Sequence, residues 1–169
     1  NFKIAIECSG KTIEDIYHFD KTLVLKLKKL IKIKKCEFIG SGYNQIIGPI
    51  TPPEITEKNL YFGNKIYKKF LGILPKYALI NEQAFSKSLI KIYKKYYQAI
   101  IFDWSNAKKT TKKYFIPEPR LISDDYKNTI PVIWSNSIAF QKFQRFIYNE
   151  IDQNNYIKFL RINKKNKFI

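Results

Sequence analysis

Two carboxylates stand out by position. Glu82 comes just after the apolar residues Leu79 and Ile80, and Asp103 ends the apolar run Ala99 to Phe102. A short apolar run bounded by helical patterns reads as a parallel strand buried on both faces. Polar groups at the C-terminal ends of such strands stand where open α/β sheets and βα barrels place their active sites. Two carboxyl groups held about 5 Å apart can supply a nucleophile and an acid/base. Carboxylates also serve at helix starts. The other reading is therefore that Glu82 caps the next helix and Asp103 closes a turn.

Other chemistries have little to work with. His18 is the one histidine, which leaves little for a zinc site and implies no metal. Cys8 and Cys36 lie in strand-like runs and read as buried thiols, too few for a disulfide scaffold. No cofactor is expected.

The 169 residues fit one domain or a large piece of one. With 45% hydrophobic and 16% aromatic residues the chain can bury a real core. It contains no methionine and begins at Asn1, as a processed chain or a fragment would. Nothing at the start has the apolar stretch of a signal peptide. No run is long enough to span a membrane. A cytoplasmic protein without a membrane partner is expected.

The formal net charge of +17 taken alone favours a nucleic-acid or acidic partner. Lys, Ile, Asn, Tyr and Phe are all over-used, as AT-rich codons would dictate, and this accounts for a basic chain without any ligand. The densest cluster is Lys26, Lys28, Lys29, Lys32, Lys34 and Lys35. It alternates with Leu27, Leu30, Ile31 and Ile33 as the solvated side of an amphipathic helix does. No nucleic-acid partner is expected.

Taken in order, Phe2 to Ile6 reads as a strand followed by Glu7. Ser9-Gly10 is turn chemistry. Thr12 and Asp15 have the spacing of a capping box with Asp in place of Glu. Helices to about Tyr17 and from about Lys21 to Ile33 follow, then a strand at Cys36 to Ile39 ending in Gly40-Ser41-Gly42. Pro53 suits the first turn of a helix that runs to about Leu71, and Gly72 is placed to end it. Next come the strand before Glu82, a helix over roughly 86 to 96, and the strand before Asp103. Residues 105 to 129 read as an excursion with a short strand at most. Ile130 to Trp134 is a strand, Ser135-Asn136 a turn, and Ala139 to about Glu150 a helix. A further helix starts near Asn154. This alternation implies an α/β fold with a parallel sheet and right-handed crossovers. It leaves open whether the sheet is open or part of a barrel.

Several of these stretches resemble glycoside hydrolase family 57. Glu37 to Ile50, EFIGSGYNQIIGPI, looks like the family's second sequence region. Leu79 to Phe85, LINEQAF, is similar to the third, a strand ending in the glutamate that acts as nucleophile. Ile130 to Arg145 resembles an uncharacterised branch, and Ile6 to Thr12 is similar to the segment before a threonine-led helix. The resemblance implies a parallel βα barrel of the seven-stranded glycoside hydrolase/deacetylase type. Residues 1–169 would then be part of a single catalytic domain truncated at both ends. The first region, with its histidines, would precede Asn1. The fourth, with the acid/base aspartate, would lie beyond Ile169. The implied function is retaining hydrolysis or transfer of glycosidic bonds in α-glucan or a related polysaccharide, with Glu82 as nucleophile. Gln45 stands where several members carry glutamate or histidine, which puts that subsite contact in doubt.

On the same reading Tyr43, Gln45, Asp103, Trp104, Trp134 and Ser135 are substrate-binding candidates. Gln45, Glu82, Asp103 and Ser135 are expected to open into one cavity. Trp104, Trp134 and Tyr43 have aromatic faces that stack on sugar rings, or else they pack the core. Two competitors are a basic nucleic-acid-binding α/β domain and a polysaccharide deacetylase-like barrel. A deacetylase needs paired histidines, and the lone His18 speaks against it.

Overall fold

The computed structural model describes residues 4–103 and 119–164. It contains β1 (Ile4–Glu7), α1 (Gly10–Phe19), α2 (Lys21–Lys32), β2 (Cys36–Gly40), α3 (Pro53–Leu71), β3 (Tyr77–Leu79), α4 (Ile90–Tyr96), β4 (Ala99–Asp103), β5 (Arg120–Ser123), β6 (Thr129–Ser135), α5 (Ser137–Ile147) and α6 (Gln153–Lys164). The strands form one mostly parallel sheet in the order β1-β2-β3-β4-β6-β5. Ile6 pairs with Phe38, and Gly40 with Ala78, in parallel register. The sheet is open, with β1 and β5 at its edges, so the expected barrel is not closed among the described residues. β5 and β6 are neighbours joined by only five residues. That is a hairpin, because a parallel return needs a crossover of about a dozen.

The chain divides into two compact units, residues 1–100 with 121–131, and residues 101–120 with 132–169. In the first, α1, α2 and α3 bury their apolar stripes against one face of the sheet. Ile13, Val24, Phe38, Tyr67, Phe70 and Leu71 form the core, each at most 7% exposed. Ile6 and Cys8 pack against this core from the strand side. Since Ile6 and Phe38 face the helices, strand alternation turns Glu7 and its partner Ile39 to the other face. Tyr77, which pairs with Ile39, joins them there. In the second unit, α5 and α6 meet through Tyr156, stacked on Phe146 with ring centroids 5.2 Å apart.

Two helix boundaries differ from the sequence reading. α1 starts earlier, at Gly10. Its N-cap is Ser9, whose hydroxyl accepts the Thr12 N–H at 3.1 Å. Asp15 instead pairs with Lys11 one turn back, so Thr12 and Asp15 make no capping box. The segment after Glu82 is also not one long helix. Asn81–Gln83 and Lys87–Leu89 are separate 3₁₀ turns, and α4 begins only at Ile90. Short 3₁₀ pieces are usual where the chain must change direction before a helix. The helix from Pro53 ends as expected, with Gly72 left-handed at φ 77° and its N–H returning to Lys68 and Tyr67.

Candidate functional site

The loop after β2, residues 41–47, is fixed from both sides. Gly42 and Tyr43 carbonyls take the first free N–H groups of α1, from Gly10 and Lys11, each at 2.8 Å. From α3, Asn59 accepts the Asn44 N–H on Oδ1 at 2.8 Å and donates Nδ2 to the Asn44 carbonyl at 2.9 Å. Gly42 has φ 92°, and a Cβ there would fall 2.3 Å from Asn59 Nδ2. Only glycine meets both demands. The exposed side chain of Gln45 is carried on this loop. Tyr43 is half-buried, and its hydroxyl donates to Glu14 at 2.8 Å. Its ring borders a cleft of about 520 Å³ together with Phe62, Lys65 and Lys69.

Beneath the loop, Tyr67 ties three backbone segments together. The Ser41 N–H donates to its oxygen at 3.2 Å. The same oxygen lies 2.8 Å from the Cys8 carbonyl and 2.9 Å from the Gly42 carbonyl, so its single proton serves one of them at a time. Tyr67 is fully buried, and burial drives its phenol well above the ordinary range. From the turn after β3 the side chain of Asn81 donates to the Ser41 carbonyl at 2.9 Å. The ends of β1, β2 and β3 are thus locked together where Glu82 emerges.

Glu82 is exposed, and it sits in left-handed backbone with φ 51° and ψ 16°. Gln83 follows at φ 52°. Such conformations cost a non-glycine residue about 1–2 kcal/mol each and cluster at functional sites. Among the described residues Glu82 has no hydrogen bond or ion pair, and it caps no helix.

Asp103, Trp134 and Ser135 belong to the second unit. Asp103 is 1% exposed, and its Oδ2 accepts the Ser137 N–H at 2.6 Å. Its carboxylate therefore works at the start of α5, where negative charge suits the helix dipole. Asn136 caps the same helix by accepting the Ala139 N–H. Trp134 is 8% exposed and lies against Phe102 with centroids 6.1 Å apart, which is core packing. Ser135 is half-buried at the end of β6. Trp104 lies outside the described residues. The sequence candidates Tyr43, Gln45 and Glu82 thus share the first unit. Asp103, Trp134 and Ser135 share the second.

Sequence reading missed Glu7 and Tyr67. Glu7 ends β1, and its Oε1 is enclosed without a hydrogen-bond partner. Its charge adds to burial in raising the Cys8 thiol. The one local signal was a carboxylate directly after an apolar strand, the signal that singled out Glu82.

A mostly parallel sheet backed by helices defines an α/β fold. The profile of glycosyl hydrolase family 57 matches residues 1–121, and the chain belongs to that family. No curated protein matches it. Among solved structures it is similar to the 4-α-glucanotransferase of Thermococcus litoralis, with a TM-score of 0.76 and 18% identity over 94% of this chain and 24% of that one. It is also similar to the α-amylase AmyC of Thermotoga maritima, with a TM-score of 0.60 and 15% identity over 75% of this chain and 24% of that one. The branching enzyme of Pyrococcus horikoshii gives 0.56 and 21% identity over 75% and 27%. The chain spans about a quarter of the length of each of these proteins.

Proposed function

We propose that this chain is part of the catalytic domain of an enzyme that cleaves or transfers glycosidic bonds in α-glucan or a related polysaccharide, with Glu82 as the nucleophile. The observation that carries the reading is Glu82 itself. It stands past the C-terminal end of a parallel strand, exposed and without a partner among the described residues. Family membership and the α-glucan enzymes among the similar structures support the substrate class. The open sheet is one arc of a βα barrel in this reading. The partly exposed face of β1, β2 and β3, opposite the helices, is the barrel interior.

The Glu82 carboxylate attacks the anomeric carbon. The bond to the leaving oxygen breaks as that oxygen takes a proton from an acid. A glycosyl ester to Glu82 results. Water or a sugar hydroxyl, deprotonated by the same group, then displaces Glu82 and restores its carboxylate. The acid/base carboxyl group is supplied from outside residues 1–169. Gln45, carried on the fixed loop, contacts the sugar, while Tyr43 stays bonded to Glu14 of α1.

The test uses the full-length protein on a panel of α-glucans, with release and redistribution of oligosaccharides as the readout. Glu82→Gln keeps shape and removes the nucleophile. Turnover should fall by about 10⁴ or more, as for other lost nucleophiles, with sugar binding retained. Near-normal turnover by the variant would remove Glu82 from the mechanism.

A further inference from the structure

A buried polar atom normally has a partner, and one without calls for a reason. Glu7 Oε1 is such an atom. Glu7 is the last residue of β1, at the same end of the sheet from which Glu82 emerges after β3. Parallel register pairs it with Ile39 and sets it on the sheet face turned away from the helices. Oε1 is enclosed while the residue as a whole is half-buried, so the carboxylate is partly drawn out of water. Among the described residues no Lys or Arg forms an ion pair with it. Nor do any three His, Cys, Asp or Glu gather to hold a metal. The backbone at the same strand ends has its partners. The Cys8, Ser41 and Gly42 backbone is occupied by Tyr67 and Asn81. A partly desolvated carboxylate in this place has acceptor capacity that the protein leaves unused.

We propose that Glu7 grips the substrate, its carboxylate accepting hydrogen bonds from sugar hydroxyls next to the residue bound at Glu82. Hydroxyl pairs on a glycan are neutral donors, and a carboxylate with free lone pairs takes two of them at once. The charge-assisted character of these bonds makes each stronger than a neutral one. Glu7 is thus a specificity residue and takes no part in bond cleavage. This inference rests on the reading of Glu82 as the centre of the sugar site.

The experiment uses the full-length protein in a Glu82→Gln background, so that the ligand is not consumed. Maltoheptaose is titrated calorimetrically into that protein and into the same protein carrying Glu7→Gln or Glu7→Asp, with Tm measured for each. Loss of hydrogen bonds to a charged group should weaken binding by about tenfold to a hundredfold. Tm should stay level or rise, because an unpartnered enclosed carboxylate does not stabilise the fold. Glu7→Asp, which keeps the charge but shortens the reach, should bind as weakly as Glu7→Gln. Unchanged affinity in both variants would overturn the inference and leave the Glu82 reading standing. Weaker binding together with a Tm several degrees lower would assign Glu7 to holding β1 in place, and would overturn it as well. No binding in the Glu82→Gln background, with no turnover by the wild type, would sink the Glu82 reading and this inference with it.

Discussion

At the scale of single residues, Tyr67 ties together the strand ends from which Glu82 emerges. One phenol oxygen holds the Ser41 N–H and serves the carbonyls of Cys8 and Gly42, from a fully buried position on α3. Tyr67→Phe keeps the ring and its edge contact with Phe38, whose centroid is 5.1 Å away. It leaves buried backbone groups unpaired. We expect a loss of about 2–3 kcal/mol, the cost of orphaned buried polar groups, measured by urea denaturation. A loss under about 0.5 kcal/mol, less than a typical net hydrogen bond, would mean that those groups find other partners. None of this was legible in the sequence. The bonds join positions 25, 26 and 59 residues apart, and no local pattern distinguishes Tyr67 from the eleven other tyrosines. The exposed place of Glu82 past β3 was legible because its signal is local, a carboxylate just after an apolar strand. The same signal at Asp103 led to a different environment, a buried contact with the N-terminus of α5.

At the scale of elements, the sequence was most informative where backbone chemistry is intrinsic. Pro53 and Gly72 bracket α3, because one presets φ and the other accepts a left-handed turn. It misled at α1, where Thr12 and Asp15 had plausible spacing but Ser9 took the cap. It gave no positive sign of β5, whose residues are mostly exposed at a sheet edge and lack alternation. The packing of α3 against the loop after β2 could not be read at all, since it depends on Gly63. A Cβ on Gly63 would fall 2.5 Å from the carbonyl carbon of Gly42. Gly63→Ala should therefore destabilise the protein by about 1–3 kcal/mol, the usual penalty of overpacking. This outweighs the gain in helix propensity of about 1 kcal/mol. Chemical denaturation decides it. A variant as stable as the wild type would show that the loop can move away from α3 at no cost.

For the whole molecule, the formal charge is +17, and among the described residues exposed lysines include the Lys26 to Lys35 cluster on the outer side of α2 and the turn after it. No helix among the described residues is long and apolar enough to cross a membrane. Buried tyrosines set a global limit of another kind. Burial raises the phenols of Tyr67, Tyr93 and Tyr97, that of Tyr93 to about 12. The fold thus favours their neutral forms. Stability is complete below the ordinary tyrosine range near pH ~10 and is lost as pH climbs from there toward the folded values. Each group contributes up to about 1.4 kcal/mol per pH unit in that window. Tyr93→Phe should lose less Tm than the wild type between about pH 9 and about pH 11. Equal losses would mean that Tyr93 does not ionise on unfolding.

The left-handed pair Glu82-Gln83 bears on descent as well as on chemistry. Glycine or asparagine would sit there more comfortably than either residue. A copy of this gene released from selection for chemistry would gain stability by drifting to glycine at position 82, and every such step would erase the carboxylate. On the reading of Glu82 as nucleophile, a glutamate is kept there for what its carboxylate does, against the preference of the backbone. Glycine or asparagine would be the first mark of a relative that keeps the scaffold for some other use.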